Sequence, residues 1–451
     1  MKKLSTGILM GFFAVMGLAH ADSSRYHPNH LFVKMKAGES LVQSPLIKSS
    51  KKLFGSLYLV KTTSADKLAE TLASDESIEY VQKDFYAGKS AMPKHEVLNE
   101  GGLLMKQLQN FDFSVTFNDP YTSRLWAFQA KNGLDVIGAY DSLPARAPQQ
   151  VIVAVADTGV DHNHEDLKDV MWTNSREIPG NGIDDDNNGY IDDIHGINTL
   201  VRDAQGRATM NTMASHWHGT HVAGTIAATQ NNGVGISGVA NNVKIMALRV
   251  VPDDADELDS NIVEAYLYAA NNGAKIINCS FGKKNNEGGM VVRDTINKIA
   301  SKGVLVVVSA GNDSYGPMSW HDIDANRKYP ASFDSQNMIV IASTQADGAM
   351  SSFSNVGKIG VDVASPGSNI YSTINNGQYS MASGTSMAAP NASGVAAMVL
   401  GYYPQIKGVG LKKLLMDTVT PVPAFKNLTV TGGRLNLKTA LEAAKKATQR
   451  R

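Results

Sequence analysis

Short apolar runs separated by helix-length stretches constrain this chain most. Residues 151–156, 244–250, 275–278, 304–309 and 338–342 are β-branched and apolar. Runs of this kind need cover on both faces, which is the environment of a buried parallel sheet. Between them, residues 220–229, 258–272, 290–302, 385–403 and 411–418 carry helical patterning. The alternation predicts an α/β fold, a three-layer sandwich on a mostly parallel central sheet. Open sheets bind ligands at the carboxyl ends of their strands. Asp157 and Asn312 fall just past two predicted strands, and His218 and Ser386 fall at the starts of two predicted helices. The arrangement lets all four converge on one edge.

The chain has 451 residues, enough for a large core and a second module. Lys plus Arg equals Asp plus Glu, 42 each, so the balance points neither to nucleic acid nor to an acidic membrane surface. Lys2-Lys3, the apolar stretch from Gly7 to Ala19 and Ala19-His20-Ala21 read as a signal peptide over residues 1–21. That implies a secreted protein, extracellular or periplasmic. No later run of about 18 apolar residues appears, so neither a transmembrane helix nor a membrane anchor is expected. Cys279 is the only cysteine and reads as a small buried hydrophobe. A monomer is expected.

Three separated segments carry chemistry: Val155-Ala156-Asp157-Thr158-Gly159, His218-Gly219-Thr220-His221-Val222-Ala223-Gly224 and Gly384-Thr385-Ser386-Met387-Ala388-Ala389-Pro390. A serine hydroxyl needs a base to take its proton, and the base needs an acid to orient it. Zinc is the rival for His216, His218 and His221, but His-Glu-x-x-His is absent and no Glu or Cys nearby completes a ligand set. Asp-Thr-Gly also occurs in aspartic proteases, which need a second such carboxylate, and none is present. Ala388 stands two residues after Ser386, so this is not a Gly-x-Ser-x-Gly elbow.

Together the three segments resemble the subtilase family of serine proteases, thermitase-like members most, over most of residues 119–445. The order acid, base, nucleophile is supplied by the family. The resemblance implies that Asp157, His218 and Ser386 are the catalytic residues and that Asn312, in Ser309-Ala310-Gly311-Asn312, donates to the oxyanion beside the Ser386 amide. It implies polypeptide substrates bound as an added strand. Ser280, Phe281 and Gly282 form one groove wall, and Ser309, Ala310 and Gly311 the other side of the first side-chain pocket. The second groove strand should fall near residues 253–258, where Asp253, Asp254, Asp256, Glu257 and Asp259 make the rim acidic, either as a solvated loop or as the source of a mild preference for basic residues upstream of the cut. Asn391 departs from the family, which often has His there.

Calcium is the expected cofactor. Asp184, Asp186, Asn188 and Gly189 follow the opening of a calcium loop, with Asp192 and Asp193 close behind and no terminal EF-hand Glu. The resemblance adds a second set: Asp119, Asp166 and Asn232, with the carbonyls of Gln230, Val234 and Ile236. Residues 22–86 form a separate small α+β module, with strands expected at 31–35, 55–60 and 78–81 and a helix between Ser64 and Ser74. It is similar to the inhibitor-type propeptide of subtilases, a folding aid and transient inhibitor whose tail lies in the groove. Residues 87–117 read as a processing linker and 118–451 as the catalytic domain. The reading is a secreted endopeptidase made as a zymogen. The alternative, a catalytically silent binding protein on the same fold, predicts a damaged motif, and none is visible.

Overall fold

The computed structural model describes residues 25–86, 95–96, 117–253, 257–283, 289–313 and 321–449, with 95–96 described by backbone alone. The signal region, most of the 87–117 linker, and Asp254 and Asp256 lie outside the described residues.

The N-terminal module is a four-stranded antiparallel sheet under one helix. Its elements are β1 (Tyr26–Met35), β2 (Ile47–Phe54), β3 (Leu57–Thr62), α1 (Ala65–Leu72) and β4 (Ile78–Phe85), in strand order β2-β3-β1-β4. Ser64 caps α1, its side chain accepting from the Lys67 amide at 3.3 Å. Leu68 and Leu72 pack with Leu31, Val33 and Met35 on one face of the sheet. From the other face Phe32 and Leu57 join the core of the larger unit. Strand β2 was not expected. Its Lys-Ser-Ser-Lys-Lys sequence carries no apolar run, because it is a largely exposed edge strand, and edge strands favour such charge.

The larger unit opens with the β5 pair (His95–Glu96) and a short α2 (Val136–Tyr140). It continues through β6 (Val151–Asp157), β7 (Gly196–Arg202), β8 (Ala208–Thr209), α3 (His218–Ala227), β9 (Val243–Arg249) and α4 (Asp259–Asn271). Next come β10 (Ile276–Cys279), α5 (Val291–Ala300), β11 (Leu305–Ser309), β12 (Met338–Thr344), β13 (Val363–Pro366), β14 (Ile370–Ile374) and β15 (Gln378–Ala382). It closes with α6 (Thr385–Tyr402), α7 (Val409–Asp417), β16 (Thr420–Pro421), β17 (Gly433–Arg434) and α8 (Leu437–Gln449). The main sheet runs β16-β17-β13-β12-β11-β10-β6-β9-β7-β8. Only its two edge strands pair antiparallel.

Period-two alternation along each strand divides the interior into two cores. Val151, Val153 and Val155 enter one with Val222 and Ile226 of α3, Val395 of α6 and Leu441 of α8. Ala154 and Ala156 enter the other with Ile262 and Tyr266 of α4 and Ile296 of α5. This is the expected three-layer sandwich. A smaller sheet, β14-β15-β5, leads into the Ser386 turn.

The module grips the larger unit through helix starts, where amides lack helical partners. Gln82 Oε1 accepts from the Met290 and Val291 amides at 2.6 and 2.9 Å, at the start of α5. Asp84 Oδ1 accepts from the Ser260 amide at 2.9 Å, in the first turn of α4. Lys34 pairs with Asp294 at 2.7 Å. Beyond β4, Tyr86 forms an antiparallel bridge with Leu258. Replacing Gln82 with Ala orphans two amides, and the expected result is about 1–2 kcal/mol of lost stability, read as a lower melting temperature of the intact chain.

Candidate active site

Parallel register brings the ends of three neighbouring strands level. Cys279 of β10 stands opposite Ala156 of β6 and Val308 of β11. The next residue on each strand is Asp157, Ser280 or Ser309, so the chemistry-bearing residues leave the sheet in step. Asp157 Oδ1 accepts from the Thr158 amide at 2.8 Å and lies 2.8 Å from His218 Nδ1. Both side chains are about 1% exposed. Bonding of Nδ1 to the carboxylate directs Nε2 outward as the proton acceptor, and among the described residues Nε2 has no partner. Gly219 makes this approach possible: a Cβ there would lie 2.1 Å from the Gly159 carbonyl oxygen and 3.1 Å from Asp157 Cβ. Its amide also donates to Thr158 Oγ1 at 3.1 Å, which pins the first turn of α3 to the end of β6. Trp217 packs edge-on against the His218 ring. His221 hydrogen-bonds the Ile370 carbonyl through Nε2 at 3.0 Å, which ties α3 to β14.

Ser386 sits in the first turn of α6, where its amide has no helical acceptor to serve and the positive end of the helix dipole faces the site. Its hydroxyl donates to the Ser280 carbonyl at 2.9 Å and not to His218. A turn about one side-chain bond is therefore needed before the imidazole can take its proton. Pro390 has no N–H to give the Ser386 carbonyl four residues back. Ser280 Oγ fills that vacancy at 2.9 Å. Ser280 is held in turn by Asn278 Nδ2 at 2.9 Å, and Asn278 by Ser393 Oγ at 2.9 Å. Ser280 thus braces Ser386 through both its carbonyl and its hydroxyl.

Asn312 is oriented by the residue before the nucleophile. Its Oδ1 accepts from the Thr385 amide at 2.8 Å and from Thr385 Oγ1 at 3.0 Å. Because both contacts are donors, the carboxamide has one orientation, and among the described residues Nδ2 has no hydrogen-bond acceptor. Thr385 Oγ1 also accepts from the Gly311 amide at 3.0 Å. Asn391, the departure from the family pattern, donates to the carbonyls of Pro366 and Met387 at 3.0 and 3.3 Å, a packing role behind the site. Cys279 is fully buried, and burial pushes its thiol up to about 12, so it carries no thiolate at neutral pH.

The residues expected to shape the groove follow β10 and close β11. Phe281 is buried; a Cβ on Gly282 would lie 3.0 Å from the Tyr329 carbonyl oxygen; Ser309 and Ala310 end the β11 run before Gly311. The acidic rim is corrected by the structure. Asp259 is buried and paired with Lys283 at 2.5 Å, and Glu257 is buried as well. Asp253 is bonded to Ser215 and faces Arg249 at 3.4 Å. Three charges read as a solvent-facing rim are therefore internal or neutralised.

The acidic loop is built around a residue that the motif did not include. Glu177, Asp184 and Asp186 bring carboxylate oxygens within 4.8 Å of one another. Asn188 closes the turn, its amide donating to Asp184 and Asp186 at 3.0 Å each. Asp192 instead accepts from the Gly180 and Gly182 amides, and Asp193 from Asn174, Asn188 and Tyr268, so these two brace the loop. In the second set, Asp119 accepts from the amides of Asn231, Asn232 and Gly233 and from the Ser237 hydroxyl. Asp166 accepts from the Ile236 amide, Asn232 Nδ2 and Tyr379, and burial pushes its carboxyl up to about 6. Gln230 donates to Tyr140 and the Gly238 carbonyl; Asn232 Oδ1 accepts from the Val234 amide.

Thr385, Lys283 and Glu177 were missed as site residues. Thr385 stood in the quoted motif, but its contacts join residues 73 and 74 positions apart, which spacing alone does not disclose. Replacing Asn312 with Ala is expected to lower turnover by about 10²–10³, a magnitude established on a subtilisin oxyanion-hole asparagine and carried over here. Thr385→Val should reproduce part of that loss by releasing the Asn312 carboxamide. Both are checked by kcat on a peptide substrate, with the melting temperature as control.

The family model described as the subtilase family matches residues 149–440. The chain is 34% identical over 367 residues to subtilisin-like protease 1 of Plasmodium berghei, covering 78% of this chain and 58% of that protein. It is 32% identical over 350 residues to an extracellular protease of Xanthomonas campestris, covering 73% of this chain and 57% of that one. The chain thus spans somewhat over half the length of each of these relatives. Among solved structures it resembles a protease from Pseudoalteromonas arctica, with TM-score 0.58 and 30% identity, covering 73% of this chain and all of that one. With the family model spanning more than half of its residues, and the acid–base pair and nucleophile turn in place, the chain belongs to the subtilase (subtilisin-like) family of serine proteases.

Proposed function

We propose that this chain is a secreted endopeptidase, made as a zymogen, that hydrolyses polypeptides through an acyl-enzyme. The observation that carries the reading is the buried Asp157–His218 bond with Nε2 uncommitted, on the same sheet edge as Ser386. His218 Nε2 takes the Ser386 proton as Oγ bonds to the scissile carbonyl carbon. Asp157 stabilises the imidazolium, and Asn312 Nδ2 with the Ser386 amide holds the oxyanion. His218 then passes the proton to the leaving amine. Water, deprotonated by the same imidazole, hydrolyses the ester. The N-terminal module is the inhibitory propeptide in this reading, supported by its contacts with α4 and α5 and by the Tyr86–Leu258 bridge. Secretion is supported by the signal-like residues 1–21 and by the printed name of the Xanthomonas relative. Among the described residues no helix is long and apolar enough to cross a membrane. The active form is a monomer.

Calcium belongs to the acidic loop. Three converging carboxylates on a tight turn suit a hard cation, which would neutralise their mutual repulsion and stiffen residues 177–188. The Asp119 and Asp166 oxygens of the second set accept from N–H and O–H donors, as those of Asp184 and Asp186 do.

Two experiments test the reading. The wild-type chain should shed its N-terminal module, digest casein and be labelled at Ser386 by a phosphonate, while Ser386→Ala keeps the module. An unlabelled wild type would remove the proteolytic assignment. For calcium, a chelator should lower the melting temperature of the wild type and leave that of Asp184→Asn, already low, unmoved; equal responses would reject the loop site.

A further inference from the structure

The chain leaves the main sheet just before Asn312. The Ala310 amide still donates to the Ile341 carbonyl of β12, at 3.0 Å. Gly311 then turns the backbone, with φ +102°. Main-chain groups buried past the end of a strand need partners other than the ladder. Asn355, fully buried in the segment between β12 and β13, supplies them. Its Nδ2 donates to the Ala310 carbonyl at 3.0 Å and to Asp313 Oδ2 at 2.9 Å. Its Oδ1 accepts from the Asp313 amide at 3.1 Å, and its own amide donates to the Gly311 carbonyl at 2.9 Å. One residue thus holds the turn on both sides of Asn312.

The chemistry of the contacts selects a carboxamide. Oδ1 faces a donor and Nδ2 faces two acceptors, so the group has one orientation and uses both of its amide hydrogens. Aspartate has the same shape without the donors, and serine has one donor for two acceptors. The fit is close, since a Cβ on Gly311 would lie 2.6 Å from Asn355 Nδ2. Asn355 is itself anchored. Ser354 Oγ donates to its carbonyl at 3.0 Å and accepts from the Ser343 amide of β12 at 2.9 Å. Asn312 and Ser354 form an antiparallel bridge, and Lys328 pairs with Asp313 at 3.0 Å. The position of Asn312 is in this way referred back to the sheet through a second segment.

We propose that Asn355 is a positioning residue for oxyanion stabilisation: it fixes the main chain on either side of Asn312 and so sets where Nδ2 stands. The inference rests on the proteolytic reading of Ser386. Thr385 aims the Asn312 carboxamide, and Asn355 places the backbone that carries it. Both are needed, because an oxyanion donor works at about 2.7–3.1 Å from the charged oxygen. A misplacement of about 1 Å can cost about 10²-fold in rate. The negative charge develops only in the transition state, so loss of Asn355 falls on kcat and leaves KM in place.

The test compares kcat and KM on one peptide substrate, with kcat counted per Ser386 labelled to completion by a phosphonate. Asn355→Ala should lower kcat about tenfold or more and leave KM within about twofold. Asn355→Asp keeps the shape and loses the donors, and should fall at least about tenfold as well. Wild-type kcat in Asn355→Asp overturns the proposal, since filling the space would then suffice. The deciding readout is the Asn312→Ala background. With the donor gone its placement no longer matters, so adding Asn355→Ala should cost less than about twofold there. A further tenfold loss in that background sinks the proposal, because the residue then acts through the fold at large. Absence of a cooperative melting transition in both Asn355→Ala and Asn355→Asp also counts against it. A wild type that cleaves no peptide and resists labelling overturns the proteolytic reading instead, and this inference with it.

Discussion

The in-step register of β6, β10 and β11 is the constraint on which the rest of the site depends. Parallel pairing levels Ala156, Cys279 and Val308, so Asp157, Ser280 and Ser309 emerge at one height. A one-residue slip would exchange the two side-chain faces of the slipped strand, since alternate residues feed opposite cores. It would also carry the Ser280 carbonyl away from Ser386. Burial on both faces therefore secures catalytic geometry and stability with the same contacts.

Proline placement shows how local and long-range demands are reconciled at the nucleophile. Pro390 removes the helical partner of the Ser386 carbonyl, and Ser280 Oγ from a different strand replaces it. The turn before α6 is also tied to the β11 end through Thr385. Ser386, Asn312 and Ser280 are in this way parts of one hydrogen-bonded unit.

The N-terminal module and the acidic loop meet on α4. Glu264 accepts from Lys51 of the module at 3.1 Å and from Tyr190 of the loop at 3.0 Å, and it pairs with Arg202. These cations hold its carboxyl below the usual range despite burial. Gln82 and Asp84 stand on the same side, at the starts of α5 and α4. Departure of the module would leave these helix starts to solvent while the Asp157–His218 pair, on the β6 end, keeps its partners.

Much was legible from residue order. Apolar runs located the central strands to within one or two residues, and the five helices expected in the larger unit lay within two residues of their places, while α2 and α8 were not expected. Asp157, His218 and Ser386 were identifiable because each lies in a short segment that carries its own pattern of neighbours, although what Gly219 and Thr385 do there rests on contacts with Gly159 and Asn312, far away in the chain. Strand β2 escaped because an exposed edge has no apolar signature, and Glu177 because it precedes the loop motif it completes. The acidic rim was misread because charge along a sequence does not say what lies opposite; Lys283 meets Asp259 from 24 residues away and buries it. Periodicity and spacing determined the layers, the chain order and the reactive groups, since these follow from near neighbours. Only tertiary structure decided which carboxylates are paired and where the Ser386 hydroxyl points, since each depends on a partner brought close by folding.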